Sequence, residues 1–239
     1  MTMRWQDDDL SVEVLFSQAG LATQILVRAG KIHLLFDAGD GTLRDLLRAG
    51  VPPQQLTGVF LTHGHADHMA GLYGLLGYLR AEGHAQPFTV WYPWGCCEAE
   101  AVAEAFRNCY KDSLPYELIS RSLGDGERVR VGEVEVLARK VEHWHSIRGR
   151  LIAPAPALGY RLTFRGRVVA VTGDTAFCPA VADLVREADL ALIEATLDEA
   201  TPEQRAHLHL TQDAAQDLAR LAKRALLVHR PSARGSGEA

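Results

Sequence analysis

No stretch of this sequence approaches the roughly 18 consecutive apolar residues that a membrane-spanning helix needs. The first ten residues, MTMRWQDDDL, are polar and acidic and lack the order of a secretion signal. Both features predict a cytoplasmic protein without membrane contact. Cysteine is scarce: Cys96, Cys97, Cys109 and Cys178 are the only four, with no C-x-x-C spacing. That argues against a thiolate zinc knuckle or a disulfide scaffold and predicts reduced, buried thiols. Positive charge is also short, with 25 Lys and Arg against 30 Asp and Glu for a formal net charge of −5. Binding nucleic acid by bulk charge is thereby disfavoured, while a local basic patch is not.

What remains is a chain of 239 residues, 47% hydrophobic, long enough to bury a substantial core. One domain is expected over residues 1–230, followed by a disordered tail, PSARGSGEA, at 231–239. Short apolar runs recur at Val12–Phe16, Gln24–Val27, Ile32–Phe36, Leu56–Leu61, Phe88–Trp91 and Val129–Leu137. A second group follows at Tyr160–Phe164, Val168–Val171, Leu190–Ile193 and Leu226–Val228. Ala29-Gly30 and Arg165-Gly166 read as hairpin turns. Helical spacing appears at Thr42–Ala49, Gly71–Ala81, Glu98–Phe106, Pro179–Glu187 and Thr211–Lys223. Two groups of strands, each with helices, fit two face-to-face sheets with helices outside; a doubly wound single sheet is also compatible.

The segment FLTHGHADHMAGL, Phe60 to Leu72, crowds His63, His65, Asp67 and His68 behind an apolar run. Such a cluster is costly to desolvate unless a cation sits among it. In extended chain His63 and His65 would point the same way, with Asp67 and His68 following in the turn. Imidazole and carboxylate suit zinc, and also manganese or iron. Further candidate ligands lie just past later apolar runs: His143 after VLARKVE, Asp174 after VVAVTG and His229 after ALLV.

HGHADH resembles the His-x-His-x-Asp-His signature of the metallo-β-lactamase superfamily, and His143, Asp174 and His229 follow in that family's order. The stretches LLFDAGDGTLRDLL, LTHGHADHMAGLYGLL, ALGYRL, IEAT and HLTQDAAQDLARLAKRALLVH resemble its ribonuclease Z branch. The resemblance runs from about Leu34 to His229. It implies an α/β fold, the αββα sandwich of two mixed sheets flanked by helices, with two divalent metal ions at one sheet edge. It further implies that His63, His65 and His143 hold one ion, that Asp67, His68 and His229 hold the other, and that Asp174 bridges them. His145, two residues beyond His143, is the alternative third ligand of the first set.

The same resemblance implies a hydrolase. Asp67 would orient or deprotonate the attacking water as well as ligate. Glu194 in IEAT and His209 in HLT would form the pair that protonates a leaving alkoxide. Ile193 and Leu210 stand where the family has His and Ser, and His207 competes with His209. The expected activity is a ribonuclease Z-like phosphodiesterase, an endonuclease acting on RNA ends or on a smaller diester, as a homodimer. Alternatives are an esterase, lactonase or arylsulfatase on the same metals, a non-enzymatic scaffold, or an iron-dependent redox enzyme.

Other features set this chain apart from that branch. Ala81 to Lys140 has no counterpart of its long Gly/Pro-rich tRNA-gripping arm, and FSQAGLATQ has none of its proline- and lysine-containing loop. HWHSIRGRLIAPAPALGY, by contrast, makes a longer connection after the third ligand, with Pro154 and Pro156 predicting a stiff loop beside the site. Trp144 there either stacks on substrate or anchors the loop. Between Arg139 and Arg167 seven basic residues face one acid, Glu142. They form either a phosphate-recognition patch or a solvated hairpin face.

Overall fold

The computed structural model describes residues 3–231; the expected disordered tail, apart from Pro231, lies outside them. A seven-stranded sheet runs in chain order through β1 (Met3–Asp7), β2 (Leu10–Gln18), β3 (Ala22–Ala29), β4 (Ile32–Phe36), β5 (Gly58–Phe60), β6 (Phe88–Pro93) and β7 (Leu118–Leu123). Its first four strands are antiparallel, and β4 to β7 are parallel. The second sheet contains β8 (Arg128–Val131), β9 (Val134–Lys140), β12 (Leu158–Phe164), β13 (Arg167–Val171), β14 (Leu190–Glu194) and β15 (Ala225–Val228). Its order is β15-β14-β13-β12-β9-β8, with β13, β14 and β15 parallel. A separate hairpin, β10 (Trp144–Ile147) and β11 (Arg150–Pro154), stands apart from both.

The two sheets pack face to face over one apolar layer that takes Val12, Val27, Phe36 and Phe60 from the first and Val136, Tyr160, Val171 and Leu192 from the second. Phe60 stacks on Trp91 at 4.3 Å and meets the Tyr160 ring edge-on at 5.3 Å. The Tyr160 hydroxyl donates to the Leu61 carbonyl at 2.7 Å, which ties the second sheet to the chain leaving β5. Burying each such ring contributes about 1.5–3 kcal/mol, and the Tyr160 hydroxyl keeps a partner while buried.

Helices cover both outer faces. Helix α3 (Leu72–Ala81) sets Leu75, Leu76 and Leu79 at helical spacing against Leu26, Leu35 and Val59 of the first sheet. Helices α1 (Thr42–Arg48) and α4 (Cys97–Tyr110) lie on the same face. On the second sheet, α5 (Pro179–Val185) and α7 (Gln212–Ala219) bury Val181, Leu184 and Leu218 against Ala170, Ala191 and Ile193. The αββα order is the one expected.

Several local expectations need correction. The run Val129–Leu137 is two strands, because the chain turns at Gly132, whose φ of +56° is open to glycine at little cost. β5 stops at Phe60, so His63 and His65 lie on a loop and their convergence does not come from strand alternation. The loop expected after His143 is a hairpin: Arg148 and Gly149 both have positive φ, as in a two-residue type I′ turn. The four cysteines are free as expected, but only Cys96 is buried. β1, β7, the four-residue helix α2 (Ala66–Met69) and α6 (Pro202–His207) have weak or short patterns and were not among the expected elements. No described helix is long and apolar enough to cross a membrane.

Candidate metal centre

Every candidate ligand lies just past the C-terminal end of a strand, at one edge of the two sheets. Chain leaving β5 carries His63, His65, Asp67 and His68; β9 leads to His143, β13 to Asp174 and β15 to His229. The donor atoms form two groups. His63, His65 and His143 make one, and Asp67, His68, Asp174 and His229 the other, with the atoms within each set no more than 4.8 Å apart. His63 Nε2 is 2.9 Å from His65 Nδ1, and His65 Nδ1 is 3.2 Å from His143 Nε2. Across the second group, His68 Nε2 and His229 Nε2 are 3.3 Å apart, and Asp67 Oδ2 is 3.2 Å from His229 Nε2. Asp174 reaches towards both groups, with one oxygen 3.8 Å from His63 Nε2 and the other 3.3 Å from His68 Nε2.

The outer nitrogen of each of the five imidazoles is tethered, which turns the other one inward. His68 Nδ1–H donates to Asp37 Oδ2 at 2.7 Å, and His143 Nδ1–H donates to the Leu208 carbonyl at 2.8 Å. The Thr62 hydroxyl donates to Asp37 Oδ2 and accepts from His63 Nδ1–H at 3.1 Å. His229 Nδ1–H donates to the Thr196 hydroxyl at 2.9 Å, which in turn donates to Glu194 Oε2 at 2.7 Å. His65 Nε2–H donates to His145 Nδ1 at 2.9 Å. His143 is therefore the imidazole that faces His63 and His65, while His145 stands behind His65.

This donor set fits divalent cations. Asp174 Oδ1 is buried and has no hydrogen-bond partner among the described residues, an arrangement that is costly unless something cationic faces it. Burial holds His63 well below the usual imidazole pKa and brings His143 down to about 3, so both present free lone pairs at neutral pH. For His68 burial opposes the charge, but Asp174 and Asp37 together hold its pKa well above the ordinary value. The second group thus sets two carboxylates, Asp67 and Asp174, beside two imidazoles.

Comparison with known proteins agrees with this geometry. Residues 33–230 match the model of the beta-lactamase superfamily domain. The chain belongs to the beta-lactamase superfamily. The ribonuclease Z of Geobacillus kaustophilus is 31% identical over 92% of this chain and 84% of its own. That of Archaeoglobus fulgidus is 28% identical over 86% and 80%. Human tRNase Z, short form, superposes with a TM-score of 0.77 at 24% identity, covering 99% of this chain and 96% of that one. A metallo-beta-lactamase fold protein of Bacillus subtilis gives 0.74 at 20% identity, over 93% and 86%. Within the superfamily the chain is a ribonuclease Z-like, metal-dependent hydrolase.

Beyond the candidate ligands, this superfamily member places His209 and Glu194 together at the mouth. His209 Nδ1–H donates to Glu194 Oε1 at 2.9 Å. Glu194 is buried, and the same oxygen accepts the Thr175 and Leu210 amides while the other accepts from Thr196. Its oxygens are already engaged by N–H and O–H donors, so it suits orienting histidines better than ligating metal. His209 pays for burial, yet Glu194 and then Asp174 raise its pKa to about 9. A cavity of about 520 Å³ opens over these groups, lined by Gly20, Asp67, Ser146, His209 and His229 among others.

His207 is not part of this arrangement. Its Nδ1–H donates to Glu142 Oε1 at 2.8 Å, the Trp144 indole N–H donates to the same oxygen at 2.8 Å, and the two rings lie 4.9 Å apart. Trp144 is thereby an anchor of the hairpin. The basic run disperses as well: Arg139 pairs with Asp125, Arg165 with Asp9 and Glu133, and Arg167 with Asp7. Arg161 donates to the Leu184 and Arg186 carbonyls. A solvated, ion-paired face accounts for these residues. Asp37 and Thr196 were missed from sequence because each acts on a ligand far away in the chain, although Asp37 sits inside the LLFDAGDG stretch.

Proposed function

We propose that this protein is a phosphodiesterase of the ribonuclease Z kind, acting on RNA ends or on a smaller phosphodiester. His63, His65 and His143 would hold one divalent cation, Asp67, His68 and His229 a second, with Asp174 shared; the imidazole-rich donor set favours zinc. When bound, such ions supply Lewis acidity that lowers the pKa of water and offsets charge on the phosphate. Asp67 lines the open side of the cavity, where the Gly20 amide at 2.9 Å fixes one of its oxygens. From there it accepts a proton from the attacking water and orients it.

The observation that carries the reading is the His209–Glu194 pair. With a pKa raised to about 9, His209 carries a proton at neutral pH. Its Nδ1 is fixed on Glu194, so Nε2 is the atom that gives a proton to the leaving alkoxide. Hydrolysis of a carboxylic ester with a good leaving group makes no such demand.

Hydrolysis of aryl phosphodiesters by zinc- and manganese-loaded protein tests this, with wild type and His209→Ala compared at equal metal content. A loss of order 10²-fold or more with a poor leaving group, shrinking as the leaving group improves, is expected. Wild-type protein that retains both metals and cleaves esters or lactones but no diester would overturn the reading.

A further inference from the structure

A second cavity, of about 450 Å³, adjoins the first, and His143 lines both. One side is the turn after β6, where Trp94 is 78% exposed. The other is the chain around Pro154 and Pro156, and a Cβ placed on Gly95 would meet Pro156 Cγ at 3.7 Å. The two segments therefore flank a narrow, largely apolar cleft. Trp144 also lines it, immobilised by its indole N–H on Glu142 and its ring against His207. Neither of these contacts holds Trp94, a large apolar ring left mostly in water and standing free beside the site.

We infer that this cleft is a binding site for the nucleobase of a ligand whose phosphate lies at the metal centre, with Trp94 as the stacking surface. The inference rests on the phosphodiesterase reading for the identity of the phosphate's site. A cavity of this size with apolar walls and a few polar groups matches a pocket for one planar ring and its sugar. Stacking on an exposed indole tolerates any base, because each has a π face. The polar edge favours a heterocycle over a plain aryl group. Lys140 offers a donor for a ring nitrogen or carbonyl, and the carboxylates of Asp125 and Glu142 also line the cleft. In each of these carboxylates only one oxygen has a protein partner among the described residues, which leaves an acceptor for an exocyclic amine. His143 lines both cavities, so a ligand with its phosphate at the metal centre and its base in the cleft would lie across this residue. The cleft would thus supply specificity for the group attached to the phosphate.

Isothermal titration of the zinc-loaded protein with adenosine 5′-monophosphate and with ribose 5-phosphate isolates the base, since the two share phosphate and sugar. Wild type is expected to bind the nucleotide at least about tenfold more tightly. Trp94→Ala should erase that ratio and Trp94→Phe should restore most of it. The exposure of Trp94 leaves little packing to lose, so the variants are expected to fold, which circular dichroism checks. No preference for the nucleotide in wild type, or a preference that survives in Trp94→Ala, would overturn the inference. Diester hydrolysis by wild type is scored separately. A base preference lost in Trp94→Ala without diesterase activity refutes the phosphodiesterase reading and leaves the base site standing. Diesterase activity without base preference does the reverse.

Discussion

Asp37 Oδ2 stands 2.7 Å from His68 Nδ1, with both side chains 1% exposed. The other Asp37 oxygen accepts the Thr62 amide at 2.7 Å, so the carboxylate is fixed from the backbone before it fixes the imidazole. Through the Thr62 hydroxyl it also reaches His63. One buried anion thus orients a candidate ligand from each group.

Asp37→Asn removes that anion and keeps the volume. Loss of such an orienting carboxylate weakens metal binding by roughly 10- to 100-fold. Competition with a chromophoric zinc chelator reads the change; unaltered affinity in a folded variant would show that the contact does not tune the site.

Glu194 and His209 should act as one unit in leaving-group protonation. Glu194→Gln is expected to lower diester hydrolysis with poor leaving groups nearly as far as His209→Ala does. The double variant should add little to either, because coupled residues are not additive. Glu194→Gln alone should also weaken metal binding, since Glu194 supports His229 through Thr196. Fully additive kinetic losses would separate the two roles.

Gly39 sits where a Cβ would lie 2.3 Å from the Asp67 carbonyl oxygen and 2.8 Å from the Thr23 amide nitrogen. Both obstacles are backbone. Gly39→Ala should therefore cost about 1–3 kcal/mol as overpacking does, and displace the loop that carries Asp67. Thermal unfolding together with metal content after dialysis measures both effects. A variant with wild-type values in each would show that the loop relaxes freely.

Asp189, which is not among the candidate ligands, should make the stability of the fold depend on pH. Burial alone would raise its pKa, but Lys223 at 2.8 Å, the Val168 amide at 2.8 Å and Arg167 outweigh that and hold it below the usual carboxylate value. Its stabilisation is therefore complete above the pKa of the unfolded chain and is lost as pH falls through the lower folded value. Asp189→Asn should be less stable than wild type by about 1–2 kcal/mol near neutrality, and the difference should shrink towards pH 3. Urea unfolding at several pH values checks the sign; a gap that widens in acid contradicts it.

Much of this protein is legible in its sequence because the information is local. Strand and helix patterns such as Ile32–Phe36 and Leu72–Ala81 follow from apolar spacing, and HGHADH concentrates four candidate ligands within six residues. The placement of His143, Asp174 and His229 after apolar runs reflects one physical fact: strands that run the same way deliver their ends to one edge. What sequence leaves open is whatever depends on which distant groups meet. His143 and His145 are equivalent by spacing, and only the packing of the chain beyond β9, with Leu208 holding the His143 ring, turns one inward and leaves the other behind His65. Trp144 and Trp94 are equally aromatic in the sequence. The fold decides between them by giving the first a carboxylate and an imidazole partner and leaving the second in water. In sequence the basic run fits a phosphate patch and a solvated hairpin face equally, and tertiary structure favours the second by bringing Asp125 against Arg139, Asp9 and Glu133 against Arg165, and Asp7 against Arg167. Residue type and period determined the elements and the chemistry on offer. Long-range contacts, which no local pattern encodes, decided which atoms face one another.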